Sequence, residues 1–436
     1  MLLAVSTAAT VARTTGAVDL SPLMSIKARH AAPAKIYSMM SLYPPAAGTA
    51  FLSYGFRPFF LGASLFAVVG ILIWVPLFQG AVDMPLGLAA RDWHIHEMVY
   101  GYAAAAIAGF LFTAIPNWTG RPPIAGRALL ALAVAWLAGR VAMAVSGLTG
   151  MEVAALADLA FLLMVTAIAG REIVVSGNRR NLKLLAVLGV LIAGNVIFHI
   201  EVLRDGVASY GQRIGLAAAV GLIVLIGGRI VPNFTRNALL RSAPGPLPAP
   251  FDRFDMASMA AAVAALAAWI VAPQDTVTAV IAAAAGILLA MRLARWVGYR
   301  AFDDKLVLVL HMAYAFVPIG FLLIALSLLI PDFITPSAGA HAWGVGAIGL
   351  MTLAVMTRAT LGHTGRQLVA SPGTVMVYGL VTFAAVARVA AAIPSAADVV
   401  LLYVAGCAWV VAFAGFAAIY GPMLWRPKGN AGPPGC

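Results

Sequence analysis

The chain has 436 residues, 62% of them apolar and 10% charged, with a formal charge of +12 and a mean hydropathy of +0.96. These values exclude an ordinary soluble globular domain, and two cysteines without a CxxC or CxxCH motif exclude a disulfide framework, a thiolate metal pair and thioether-linked haem. The cations sit in short loops between apolar runs, so they read as membrane orientation rather than nucleic-acid binding.

Residues 1–50 are rich in Ala, Ser and Thr and hold no run of membrane-spanning length. Lacking the basic–apolar–cleavage series of a signal peptide, they are expected to form a mobile extension, with Met39 and Met40 as alternative starts. His30 within it reads as solvated. Apolar runs then recur at 57–79, 92–115, 128–147, 151–175, 182–204, 210–232, 254–273, 275–298, 306–330, 339–360, 373–393 and 397–423. Each is long enough to cross a bilayer as a helix. The expected fold is all-α and polytopic: twelve spans over residues 51–425, with a short tail from 426.

Every second loop is basic, for example Arg121 with Arg127, Arg179 with Arg180, and Arg236 with Arg241, whereas the intervening loops hold few or balanced charges, such as Asp83 with Arg91, Glu152, Asp275 and Asp332. The positive-inside rule then puts both termini in the cytoplasm. A faint repeat links AIPNWTG in span 2, IVPNFTR in span 6 and VMTRATL in span 10. It aligns Thr119, Thr235 and Thr360 at separations of 116 and 125 residues. Read as homology rather than accident, it makes three four-helix repeats around a pseudo-threefold axis.

With orientation assigned, the histidines acquire depths. His94, His96, His199 and His341 fall at outer helix ends, and His311 and His363 at inner ones. Neutral imidazole is a common ligand for haem iron and copper, and polar residues inside membranes are functional candidates. A single histidine at an interface is more often a hydrogen-bonding residue, but four at one depth favour a metal site. For the inner pair, ligation and bracing of two helices are equally good readings. In the stretch DWHIHEMVYGY, residues two apart on a helix point about 200° from one another. His94 and His96 therefore suit two centres on opposite sides, or one ligand and one supporting residue.

Glu97 and Glu201 are candidate proton carriers or imidazole-orienting groups, with solvated interfacial carboxylates as the alternative. Arg229 and Arg358 read as snorkelling cations or as partners of haem propionates. Tyr100, Tyr102 and Tyr314 read as packing residues, and Trp93, Trp118 and Trp343 as an interfacial belt. The small-residue patterns AAAAIAG, GLAAAVG and GVGAIG suit close helix packing and leave room for a flat macrocycle.

The segments WHIHEMVYGYAAAAIAGFLFTAIPNWTGRPP, GGRIVPNFTRN, LHMAYAFVPIG and HAWGVGAIGLMTLAVMTRATLGHTGR resemble those of the NnrS family over residues 50 to 425. The resemblance implies a bacterial inner-membrane protein that contains haem b and copper and serves the nitric oxide response. Carried over by position, His94, His96, His311, His341 and His363 are its ligand candidates, joined by His199 on depth. Ala313 stands where relatives are expected to have Gly. The helix count is also similar to that of haem–copper oxidase and nitric oxide reductase catalytic subunits, an analogy of fold only.

Three functions follow. One is a redox enzyme that reduces NO to N2O with electrons from quinol or a periplasmic donor. The second is a noncatalytic haem–copper protein that binds or buffers NO. The third, a secondary transporter, suits the helix count but lacks a midplane carboxylate relay.

Overall fold

Among hydrocarbon tails only a helix satisfies all of a single segment's backbone groups from within, and the apolar runs fold accordingly. The computed structural model describes residues 50–178, 181–241, 244–395 and 397–427. The expected extension with His30, Arg179 and Arg180, and the tail from Lys428 lie outside these residues. Twelve helices are long and apolar enough to span a membrane: α1 (Phe56–Phe78), α2 (Ala90–Thr119), α3 (Gly126–Ala144), α4 (Met151–Val175), α5 (Leu182–Asp205), α6 (Tyr210–Leu239), α7 (Arg253–Val271), α8 (Thr276–Ala294), α9 (Lys305–Leu329), α10 (Ser337–His363), α11 (Pro372–Ala390) and α12 (Asp398–Trp425). They match the expected spans closely. The largest difference is at α6, which continues through Pro232 to Leu239. No strand occurs among the described residues.

Polar turn residues set the helix ends. Asp252 and Asp255 form a reciprocal capping box at α7, and Ser371 caps α11 ahead of Pro372. Arg295, just past α8, pairs with Asp252 and holds its carboxyl down at about 2. Gly120 and Gly206 close α2 and α5 at φ 69° and 76°, a left-handed turn that a Cβ would strain.

Burial sorts the helices into a centre and a rim. Of their most apolar stretches, 78% is buried in α2, 61% in α6 and 67% in both α9 and α10, against 33–44% in the other eight. Rim helices turn large apolar side chains outward, such as Leu72 on α1, Leu137 on α3 and Leu156 on α4, as a lipid-facing surface requires. The centre is made by α2, α6 and α10, which touch one another pairwise, and α12 returns to pack on α1. Arg57 closes that ring, donating to the carbonyls of Leu424 at 3.0 Å and Arg426 at 2.7 Å.

Each central helix contains a π-helical segment: Glu97–Ala103 in α2, Ile223–Gly227 in α6 and Ala342–Gly349 in α10. Such widened turns leave carbonyls in need of partners. Arg292 of α8 donates to one of them, Val224, at 3.3 Å. The π segments of α2 and α10 also set the repeat register. They superpose when His96 is matched to His341, Gly101 to Gly346 and Thr119-Gly120-Arg121 to Thr364-Gly365-Arg366, each 245 residues on. Thr119 therefore corresponds to Thr364 rather than Thr360, a correction of four residues.

Candidate metal centre and ligand cavity

The start of α2 presents its two histidines to different neighbours. His94 stacks on Trp74 of α1, ring centroids 3.9 Å apart and 22° from parallel. It lines a cavity of about 650 Å³ walled by α1, α2, α6, α7, α10, α11 and α12, within the size range of cofactor sites. His341 of α10 lines the same cavity. Its Nδ1–H donates to the Ser337 carbonyl at 2.7 Å, which leaves Nε2 with its lone pair. His94 Nδ1 is buried without a hydrogen-bond partner.

Around these two imidazoles the walls are indole and guanidinium. Trp74, Trp269 and Trp409 supply flat apolar surface, and Arg91, Arg213 and Arg388 supply positive charge. Arg213 is held by the Ile270 carbonyl and the Ser209 hydroxyl. Arg388 is half-buried and makes no hydrogen bond or ion pair with a described residue. A half-buried cation without an internal counter-charge is available to an acidic group that enters the cavity. The donor set, the orphaned His94 nitrogen and the cationic wall fit an iron macrocycle with acidic side groups.

On the other side of α2, His96 and Glu97 are fully buried in a polar cluster. His96 Nδ1 lies 3.1 Å from Glu97 Oε1, and its Nε2 lies 3.1 Å from both Asp158 Oδ2 on α4 and Asn195 Oδ1 on α5. His199 Nε2 reaches the same Asp158 oxygen at 3.0 Å, and its Nδ1 is buried without a partner. Arg140 of α3 bridges Glu97, at 2.7 Å, and Asp158. One oxygen of Asp158 and one ring nitrogen of each histidine lie within 4.8 Å of one another.

Two carboxylates face one guanidinium, so the cluster carries a formal charge of −1 with both imidazoles neutral. Both His96 nitrogens also face oxygen acceptors. A neutral ring has a single N–H, so the remaining contact is satisfied by a second proton, on the ring or on one of the carboxyls, or by a cation at the ring's lone pair. Donor edges of 3.0–3.1 Å are hydrogen-bond distances, shorter than the ~3.3–3.6 Å edges of a tetrahedral ion with ligands at about 2.0–2.2 Å, so a bound ion would spread these donors slightly. Two imidazoles and a carboxylate, without thiolate, suit a divalent transition ion.

The outer four histidines thus come together as two pairs, His94 with His341 and His96 with His199. The inner two lie apart: His311 Nε2 donates to Thr235 at 2.7 Å, while His363 sits against Tyr54 and Phe56. Among the described residues they share no hydrogen bond or ring contact. Arg229 is exposed and Arg358 lies over Phe234. Neither lines the cavity. Glu201 accepts the amides of Ser209, Tyr210 and Gly211 at 2.8–2.9 Å, which makes it the anionic cap of α6. Trp93 and Trp343 are 3% and 0% exposed, so these two are interior residues and not part of an interfacial belt. Neither helix depth nor motif spacing singles out Asp158, Asn195, Arg140 or Arg388, though each is a polar residue in an apolar run, which is itself a functional signal.

The model of one protein family, described as NnrS protein, matches residues 50–428. No curated protein matches the chain.

Proposed function

The chain belongs to the NnrS family, and from that premise we propose that it is a haem- and copper-containing membrane enzyme that reduces nitric oxide. Two NO, two electrons and two protons yield one N2O and one water. Electrons come from quinol or a periplasmic donor, and the setting is a bacterial inner membrane with both termini cytoplasmic. The supporting observation is the pairing of His94 with His341 in one cavity beside Arg388.

In this reading His94 and His341 hold haem b. Arg388 and Arg213 take its acidic groups, and the indoles of Trp74, Trp269 and Trp409 exclude water from its faces. Haem, when bound there, would supply the redox chemistry toward NO. Copper is assigned to His96, Asp158 and His199. His94 and His96 lie two residues apart, about 3 Å along the helix axis, so α2 joins the two sites. Glu97 bonds both His96 and Arg140 and is assigned the proton-carrying role within the copper-side cluster. Glu201, with three amide bonds, keeps α6 in position.

A second reading draws on the same geometry. The same residues would hold haem in a protein that binds or buffers NO without turning it over. Reduced-minus-oxidised spectra with and without NO, followed by N2O measurement with a competent donor, separate the two. Turnover predicts b-type bands that shift on NO addition, sustained N2O, and loss of both signals in His94→Ala and His341→Ala. Stoichiometric NO uptake without N2O selects the second reading. A folded protein without haem bands refutes both.

A further inference from the structure

Beyond the histidine-lined cavity, α2, α6 and α10, with Phe60 of α1, line a second, partly open space of about 80 Å³. On each helix its wall begins where that of the first cavity stops. Tyr102 is followed by Ala103 and Leu216 by Ala219, while Ile348 belongs to both. The two spaces are consecutive along the central helices, with Ile348 as their common wall. The π-helical turns that hold these three helices apart contribute Ala103, Ile223, Gly227 and Ile348 to its lining.

The lining selects the occupant. Its polar side chain is that of Thr352, whose hydroxyl is already engaged by the Gly349 carbonyl at 2.9 Å and by Tyr102. A buried water needs two to four polar partners, so a chamber of this kind stays dry. It exceeds the ~30 Å³ share of one water-sized molecule but has no room for a macrocycle. We propose that this chamber binds a small, neutral, weakly polar gas molecule. On the reading above that gas is NO, held beside the histidine cavity and passed into it along Ile348. Delivery rests on the proposed NO chemistry, whereas gas binding does not.

Xenon, which occupies dry apolar cavities, is the probe. Xenon-129 NMR of the detergent-purified full-length protein is expected to show saturable exchange. Ala106→Phe and Ala219→Leu, which add bulk at two separate walls, are expected to abolish it, so a folding failure in one leaves the other informative. In the same variants, with an unchanged haem spectrum, NO association with the reduced protein should slow by about tenfold, equivalent to about 1.4 kcal/mol of barrier. Equal xenon uptake by wild type and both variants overturns the chamber. Binding only after delipidation also overturns it, in favour of an acyl chain. Loss of xenon with an unchanged NO rate overturns delivery and retains the binding site. Saturable xenon in a protein without haem bands supports the chamber while refuting the haem reading.

Discussion

The polar cluster around His96 shows how one residue's chemistry is set by its neighbours. Arg140 is the fixed cation that offsets Glu97 and Asp158, and all three are buried. Removing it leaves two uncompensated carboxylates. Arg140→Met is therefore expected to lower stability by about 3–5 kcal/mol, read as a large drop in the thermal or SDS unfolding midpoint. Asp158→Asn makes a sharper test because it keeps the shape and removes one charge and one ligand. Loss of bound metal by elemental analysis, with folding retained, is the expected outcome, and full metal content would remove the cluster from consideration. The HIH motif was legible in the sequence because helix geometry alone turns its two rings apart. Asp158, Arg140 and Asn195 were not, because their partners come from three other helices and no spacing along the chain encodes such a meeting.

At the scale of elements, hydropathy located every span, since the length of hydrocarbon a helix must cross is written directly in the run of apolar residues. The π segments were invisible to that pattern, which records burial and not whether a carbonyl bonds four or five residues on. Their consequence is close approach. A Cβ at Gly228, just past the α6 segment, would lie 2.5 Å from the Arg292 guanidinium. Arg292 cannot yield easily, being fully buried and bonded to Asp255 at 2.8 Å and Tyr314 at 3.1 Å. Gly228→Ala is thus expected to destabilise by about 1–3 kcal/mol, and Arg292→Lys to relieve part of that cost. Their double-mutant cycle should be non-additive, and additive midpoints would show that the helix shifts freely. The repeat was half-legible in the same way. Short Pro-Asn and Thr matches suggested it, but only the paired π segments fixed its register between α2 and α10.

For the whole molecule, the arrangement of charge carries the last prediction. The ends of α2, α4, α6, α8, α10 and α12 are followed by Arg121, Ser176, Arg241, Arg295, Arg366 and Arg426, and all but the α4 end carry a cation there, with Arg171 one turn earlier on α4. The opposite ends hold Asp83, Glu152, Asp275 and Asp332. An even number of spans puts both ends of the helix bundle on one side, and by the positive-inside rule the cationic side is expected in the cytoplasm. The His94–His341 cavity opens at the other end of the bundle, since α2 and α10 both begin there. This matters chemically, because a periplasmic donor has access to the site only in that orientation. Reporter fusions decide it. A fluorescent protein joined after Arg426 should fold and fluoresce, while alkaline phosphatase inserted beside Glu152 or Asp332 should be active. The reverse pattern would put the cavity at the cytoplasmic face, leaving quinol or a cytoplasmic reductant as the electron source and excluding a periplasmic one.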